Sequence, residues 1–563
     1  MTSLKHRAAD IIARRLYEAN VRFAFGIPGG EVLTIIDALE DAGIKFLLSK
    51  HENAAGFMAE GVHHITKAPG LMIATVGPGA ANAVNVTVNA LQDRVPLIVI
   101  TGCVDPADSV TYNHQVFDHC SVFSPITKAS FRVSDGFVEE LIDKAIAIAT
   151  EGRPGPVHLD LPIKIANQLH PVSKIPTRAT PAPIKPANGE ALKKARQWLL
   201  EAQNPLMIVG LDAVHQNASS PIIDFCKKFG VPVVTTYKAK GIVPDDDELS
   251  LGAAGLSPLG DKNISPVVHA AVLILLVGYD PIEMRSGWRD LWDSSKTRVV
   301  EFLIASEYSY MHKSSLRFIC NISEGIEALS KGLERKTTWE NGELIEMRNK
   351  HEKIYGQKQE WGPGAITETV RSLVPRDTVI TMDSGAHRIL ISQAWRTYVP
   401  RSALQSSAFC TMGCALPLAT GAKLADPGRV VVAFMGDGGL EMVLGELITL
   451  RDLGLPVIVM VFVDASLALI EKKQREMQYK NVGVDMEETD FKSIALATGG
   501  KGFVVQTRTQ LEDAVNIALS TRDTFTLIAC RIPRGSYDEI LSLIHISEPT
   551  RLRRISYAVF CLK

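Results

Sequence analysis

The residues with the clearest capacity for chemistry are Asp437 and Asp464. Residues 430–435, VVVAFM, form an apolar, β-branched run that predicts a buried parallel strand. The turn Gly436-Asp437-Gly438-Gly439 follows. Residues 440–453 then carry Leu440, Val443, Leu444, Leu447 and Leu450 at helical spacing. Residues 456–463 predict a second buried strand, with Asp464 at its end. Strand, glycine turn, helix and strand make a βαβ unit, whose ligands bind at the carboxyl ends of the strands. Glycines there let backbone N–H groups approach a phosphate. Two carboxylates would repel a diphosphate unless a hard cation lay between them. Mg2+ suits that place, since it takes a few protein oxygens plus phosphate oxygens. A lone GDGG is better explained by a tight strand-to-helix turn with an aspartate cap, so the rest of the chain must decide.

At 563 residues the chain has room for about three domains. Lys+Arg total 60 against Asp+Glu 62, which gives no electrostatic case for nucleic acid or an anionic membrane. The eight cysteines include no C-x-x-C, so neither a disulfide framework nor a zinc site is indicated, and Cys410 and Cys414 read as packing residues. The N-terminus lacks a signal-peptide pattern and no apolar run reaches membrane-spanning length; a cytoplasmic protein is expected.

The elements that must position the chemistry begin at the N-terminus. Short strands at 23–25, 46–49, 71–75 and 97–101 alternate with helices at 8–19, 32–39 and 54–63, with glycine turns between them. That alternation predicts a doubly wound α/β domain. A Pro-rich stretch at 170–189 reads as a linker. Further strands at 206–209, 231–235, 272–277 and 299–302 make a second α/β unit, without a G-x-G-x-x-G after any of them. Residues 331–362 are charged, helical and linker-like, and a third unit starts near Pro363 with a strand at 378–382.

Several motifs resemble thiamine-diphosphate-dependent enzymes of the acetolactate synthase family, closer to the catabolic, FAD-free members. They are FGIPGGEVLTIIDAL, SKHENAAGFMAEG, TVGPGAANAVNVTVNALQDRVPLIVITG and HQVFDHCSVFSPITKASF, in that order, together with the GDGG stretch. The resemblance implies three doubly wound parallel-sheet domains: pyrimidine-binding at 1–169, middle at 190–330 and diphosphate-binding at 363–540. It places Asp437 and Asp464 at the metal positions, with Ser466 binding through its carbonyl. The family's commoner second ligand is Asn, and Asp464 resembles the Asp of catabolic members. Glu52 falls on the glutamate that bonds the aminopyrimidine ring and so promotes loss of the thiazolium proton. Gln115 then faces the substrate side of the cofactor. Pro28, Gly29, Asn82, Gly385, His387, Met412, Gly436, Gly438 and Gly439 fall at cofactor-binding positions. His114 is a candidate substrate contact, with an ordinary loop residue as the alternative for both His114 and His119. Lys473 aligns with a Trp that shapes the acceptor pocket of biosynthetic members; there it would favour an extra anionic group on the substrate, unless it is a solvent-facing helix lysine.

The implied activity is decarboxylation of a 2-oxo acid followed by carboligation to a second carbonyl, with thiamine diphosphate and Mg2+. Alternatives are a simple decarboxylase that releases an aldehyde, and a non-catalytic homologue. The GYDPIEMR run, 278–285, resembles FAD-free members, so FAD is not expected. A homodimer or homotetramer with the active site at the subunit interface is implied. Residues 541–563 match nothing in the family; their reverse translation fits the two constant parts of a transposase-type sequencing adapter, so the tail is expected to be an adapter artefact.

Overall fold

The computed structural model describes residues 5–171, 181–306, 309, 311–334, 338–355 and 360–541. The expectations for residues 172–180 of the first linker and for the tail beyond 541 lie outside the described residues. Leu541 itself is fully buried in the third domain's core, at the end of the short helix Asp538–Leu541.

Three six-stranded sheets, every pairing within them parallel, carry the fold. The first runs, in spatial order, Lys45–Leu48, Phe23–Gly26, Gly70–Ala74, Leu97–Cys103, Val157–Pro162 and Ala129–Arg132. The second runs Ser250–Ala253, Val233–Thr235, Pro205–Val209, Leu273–Val277, Arg298–Leu303 and Leu316–Ile319. The third runs Ala403–Gln405, Val379–Met382, Val431–Gly436, Ile458–Val463, Thr526–Arg531 and Lys501–Val505. Alternate residues of one strand feed opposite cores. Val432 and Phe434 pack on one face, while Val431, Ala433 and Met435 pack on the other. Covering both faces is why these strands read as unbroken apolar runs.

Numbered within each domain, the first and third sheets share the order 2-1-3-4-6-5, and the middle sheet has 3-2-1-4-5-6. The chain reverses direction of build between strands 1 and 3 of the outer domains, and ligands bind at the carboxyl ends beside that reversal. In the third domain those ends are Met382 and Gly436. In the first they are Gly26 and Ala74.

Two sequence expectations change. The helix expected at 440–453 is two helices, Asp437–Glu441 and Glu446–Asp452. The break falls at Gly445, which packs on Lys50, and at Glu446, whose Oε1 accepts the N–H groups of Lys50 and His51 at 2.9 and 3.1 Å. A tertiary contact has overridden the helical periodicity. The 331–362 stretch does hold a helix, Glu343–Tyr355, but it is no free linker: Trp339 and Met347 are buried in the middle domain's core. Among the described residues no helix is long and apolar enough to cross a membrane.

Candidate active site

Asp437 stands where Val431–Gly436 ends; its oxygens accept backbone N–H groups and its carboxylate keeps lone-pair capacity for a further partner. Oδ1 accepts the Gly438 N–H at 2.8 Å; Oδ2 accepts those of Asp464 and Ala465 at 3.2 and 2.8 Å. The two strand ends are thus laced together. Ala465 adopts φ +52°, a left-handed conformation that costs an alanine about 1–2 kcal/mol. Asp464 is different. Its Oδ2 is buried with no hydrogen-bond partner, and burial together with the nearby Asp437 charge pushes its pKa up to about 7. Burial also raises Asp437. Two adjacent, partly desolvated carboxylates with a spare oxygen suit a hard cation. Ser466 donates its hydroxyl to Glu471, which leaves its carbonyl as the group to offer a metal. Among the described residues no group of three or more His, Cys, Asp or Glu side chains converges, so phosphate, carbonyl or water oxygens must complete any Mg2+ shell.

The glycine turn meets a second strand end. A Cβ on Gly439 would lie 2.0 Å from Oδ2 of Asp383, at the end of Val379–Met382. Asp383 is buried and accepts the N–H groups of Gly413, Cys414 and Ala415 at 3.0, 2.8 and 3.4 Å. It therefore holds the base of the Thr411-Met412-Gly413 segment, in which Met412 is half-buried. His387 begins the helix Ala386–Ala394 beside Gly385 and Gly436, with its ring stacked on Phe462 at 5.6 Å. Burial drives its pKa down to about 3, so the ring is neutral, and its Nε2 is buried without a partner. A phosphate oxygen is the kind of group such a ring nitrogen serves.

In the first domain Glu52 opens the helix Glu52–Thr66, capped by the His51 ring, which accepts the Asn53 N–H at 3.1 Å. Glu52 is buried at 5% exposure, and Asn82 donates to its Oε2 at 2.9 Å. Gly79 of the next turn lies close to Oε1, which a Cβ there would approach to 3.3 Å. Pro28 is exposed, and Gly29 packs on Thr75. Gln115 is exposed at φ +61°; its backbone and Cβ occupy the space beside Gly77, itself at φ +69°. His114 is exposed and meets Tyr112 edge-on. Lys473 is exposed on the helix Ala468–Glu476, while its neighbour Lys472 is buried and pairs with Glu476.

Sequence reasoning missed three anchoring residues. Asp383 satisfies the criterion that selected Asp437 and Asp464, an acid ending a buried apolar strand, and could have been found that way. His119 is no loop residue: it starts the helix His119–Phe123, is 1% exposed, and sits between Asp160 at 2.9 Å and the Gly77 N–H at 3.4 Å. Nothing local in the sequence pointed to Asp160. Cys410, read as packing, is exposed and accepts from Arg388 at 3.3 Å, whereas Cys414 is buried.

Known proteins fit this geometry. Residues 6–122 match the N-terminal TPP binding domain of thiamine pyrophosphate enzymes, 192–329 their central domain and 383–530 their C-terminal TPP binding domain. The chain is 29% identical over 526 residues to the acetolactate synthase of Bacillus subtilis, covering 91% of both chains. It is 27% identical over 553 residues to the catabolic acetolactate synthase of Raoultella terrigena, covering 96% of this chain and 97% of that protein. It is 28% identical over 482 residues to the acetolactate synthase isozyme 1 large subunit of Escherichia coli, covering 84% of each. All three domain matches fall in the expected order on the three parallel sheets, and the chain belongs to the thiamine-diphosphate-dependent enzymes of the acetolactate synthase family.

Proposed function

We propose that this enzyme uses thiamine diphosphate and Mg2+ to decarboxylate a 2-oxo acid and join the remaining fragment to a second carbonyl. One observation carries the reading. A cation-and-phosphate cradle with unpartnered Asp464 Oδ2 and His387 Nε2 exists in the same chain as a buried, oriented glutamate, Glu52. When bound, the cofactor supplies a carbon nucleophile and an electron sink for the charge left as CO2 departs. Asp437, Asp464 and the Ser466 carbonyl would hold the metal; Gly436, Gly438, Gly439, Gly385 and His387 would face the diphosphate. Glu52 would hold the proton at the aminopyrimidine ring, with Asn82 fixing the carboxyl. Pro28, Gly29 and Met412 would flank the ring. Gln115, His114 and Lys473 would meet the substrate.

The two halves are proposed to meet between subunits of a homodimer or homotetramer. Large apolar side chains left exposed beside each half support this. Met442, Met477, Tyr479 and Val482, on the segments that follow Asp437 and Asp464 in the chain, are 66, 53, 60 and 71% exposed, and Val110, at the end of the 3-10 helix Asp108–Val110 before Gln115, is 82% exposed. No FAD is proposed, although the middle sheet has the strand order of dinucleotide-binding folds. At its reversal point Gly210 abuts the Gly278 carbonyl, and Asp280 and Asp212 pair with Arg94 and Arg153 of the first domain at 2.8 and 3.3 Å.

Calorimetry with thiamine diphosphate and Mg2+, followed by product analysis with pyruvate, tests the reading. Tight Mg2+-dependent binding and acetolactate are expected. Acetaldehyde as sole product would favour the simple decarboxylase, and absence of binding would overturn the proposal.

A further inference from the structure

The segment 406–412 leads into the residues assigned to the pyrimidine, yet it is neither helix nor strand, and its Cys410 sits at φ +61°. Such a backbone persists only if its surroundings determine it. Those surroundings are one face of a helix in another domain. Asn85 and Asn89 lie on the helix Val84–Gln92 and Asp93 caps its end; the spacing of four puts all three on one side.

Thr411 donates its hydroxyl to Asn85 Oδ1 at 3.1 Å. Ser406 donates to Asn89 Oδ1 at 2.6 Å, and the same Ser406 oxygen accepts the Thr411 N–H at 3.0 Å. Asp93 accepts the N–H groups of Ala408 and Ser407 at 2.9 and 3.2 Å. The orientation of Asn89 is itself fixed. Its Nδ2 donates to Glu60 Oε2 at 2.9 Å, so its oxygen must face Ser406. Lys238 of the middle domain reaches Asp93 at 3.0 Å, and Arg388 donates to the Ser406 carbonyl. Beyond Met412, Asp383 clamps Gly413, Cys414 and Ala415. Met412 thus lies between two held ends, one anchored in its own domain and one in the first domain.

We infer that Asn85, Asn89 and Asp93, acting through Ser406 and Thr411, are positioning residues that set the height of Met412 against the cofactor's pyrimidine ring. The inference rests on the placement of Met412 beside the aminopyrimidine ring proposed above. Apolar packing would suffice to glue two domains; hydrogen bonds converging from one helix face on a short irregular segment specify its conformation.

The test uses the full-length enzyme with two ligands, thiamine diphosphate and Mg2+-pyrophosphate. The second reports the cradle alone. Loss of the Thr411–Asn85 bond and the buried Ser406–Asn89 bond in Asn85→Ala/Ser406→Ala is expected to weaken thiamine diphosphate about tenfold or more while leaving Mg2+-pyrophosphate within about twofold. Asn85→Ala alone, at an exposed position, should fold and shift the first affinity in the same direction, and Asn85→Asp, which keeps an acceptor for Thr411, should restore it. Unchanged affinity for thiamine diphosphate in the double variant, or equal weakening of both ligands, would overturn the inference. Met412→Ala separates the two failures. If it too changes nothing, the pyrimidine assignment is at fault. If it weakens thiamine diphosphate while the double variant does not, the helix contacts are.

Discussion

An alanine at Gly439 would place its methyl 2.0 Å from Asp383 Oδ2, where ordinary contact begins at 3.4 Å. Either the glycine turn or the carboxylate must retreat by more than 1 Å. Asp383 is fully buried and bonded to three backbone N–H groups, and a shift of that size breaks at least two of those bonds. Hydrogen bonds to a charged group contribute about 1.5–3 kcal/mol each, so the expected loss is about 3–6 kcal/mol. For a domain of this size that lowers the melting temperature by at least about 6 °C. Gly438→Ala is the control: its Cβ would meet only the flexible ends of Leu467 and Met486, at 3.3 Å. Scanning calorimetry of both variants without cofactor gives the comparison free of any phosphate contact. A Gly439→Ala protein that melts within about 1 °C of wild type would refute the view that Asp383 couples the glycine turn to the 411–413 segment.

Asp437→Ala is expected to abolish Mg2+-dependent retention of thiamine diphosphate, whereas Asp464→Asn should retain it, because an amide oxygen can still reach the cation; equal loss in both variants, measured by calorimetry, would contradict the metal geometry. Glu283, buried in the middle domain, has its pKa pushed up to about 8, chiefly by burial. Its folded value lies above the unfolded one, so the stabilisation it gives is full in acid and fades as pH rises through 8. Glu283→Gln should therefore flatten the fall of melting temperature between pH 5 and pH 9, and a parallel fall in both proteins would refute that origin. Lys473→Gln is expected to lower activity on dianionic 2-oxo acids more than on monoanionic ones; an unchanged ranking across a substrate panel would place this exposed lysine outside the pocket.

Much of the scaffold was legible because both faces of each sheet are covered. Central strands such as 206–209 and 456–463 then have to be unbroken apolar runs, and their short length and β-branched content mark them. Among the strands missed, Ala129–Arg132, Ser250–Ala253 and Ala403–Gln405 are short or at sheet margins and carry few apolar residues, whereas Val157–Pro162 and Thr526–Arg531 lie inside their sheets but carry His158 and Asp160 or end in Cys530-Arg531, which break the apolar run. The glycine turn and Asp464 were legible from their place at strand ends. Glu52 was not; a first-turn acid is common on surfaces, and only its motif marked it. Its burial and its bond to Asn82 depend on the turn Pro78–Asn82 folding back over it, a contact no local pattern encodes. The same holds for the Asp160–His119 pair and for the Asn85, Asn89 and Asp93 face, whose partners lie in remote parts of the chain.

The central claim is that Glu52 of one subunit works on a cofactor held by Asp437 of another. Co-expressed Glu52→Gln and Asp437→Ala chains test it directly, with the hybrid isolated through two different affinity tags. Each parent should be inactive by roughly 10²-fold or more in carboligation of pyruvate. In a hybrid dimer one interface combines both lesions and the other combines none, so about half of the wild-type activity per dimer is expected to return. A hybrid that is assembled, binds Mg2+ and stays as inactive as its parents would contradict the account.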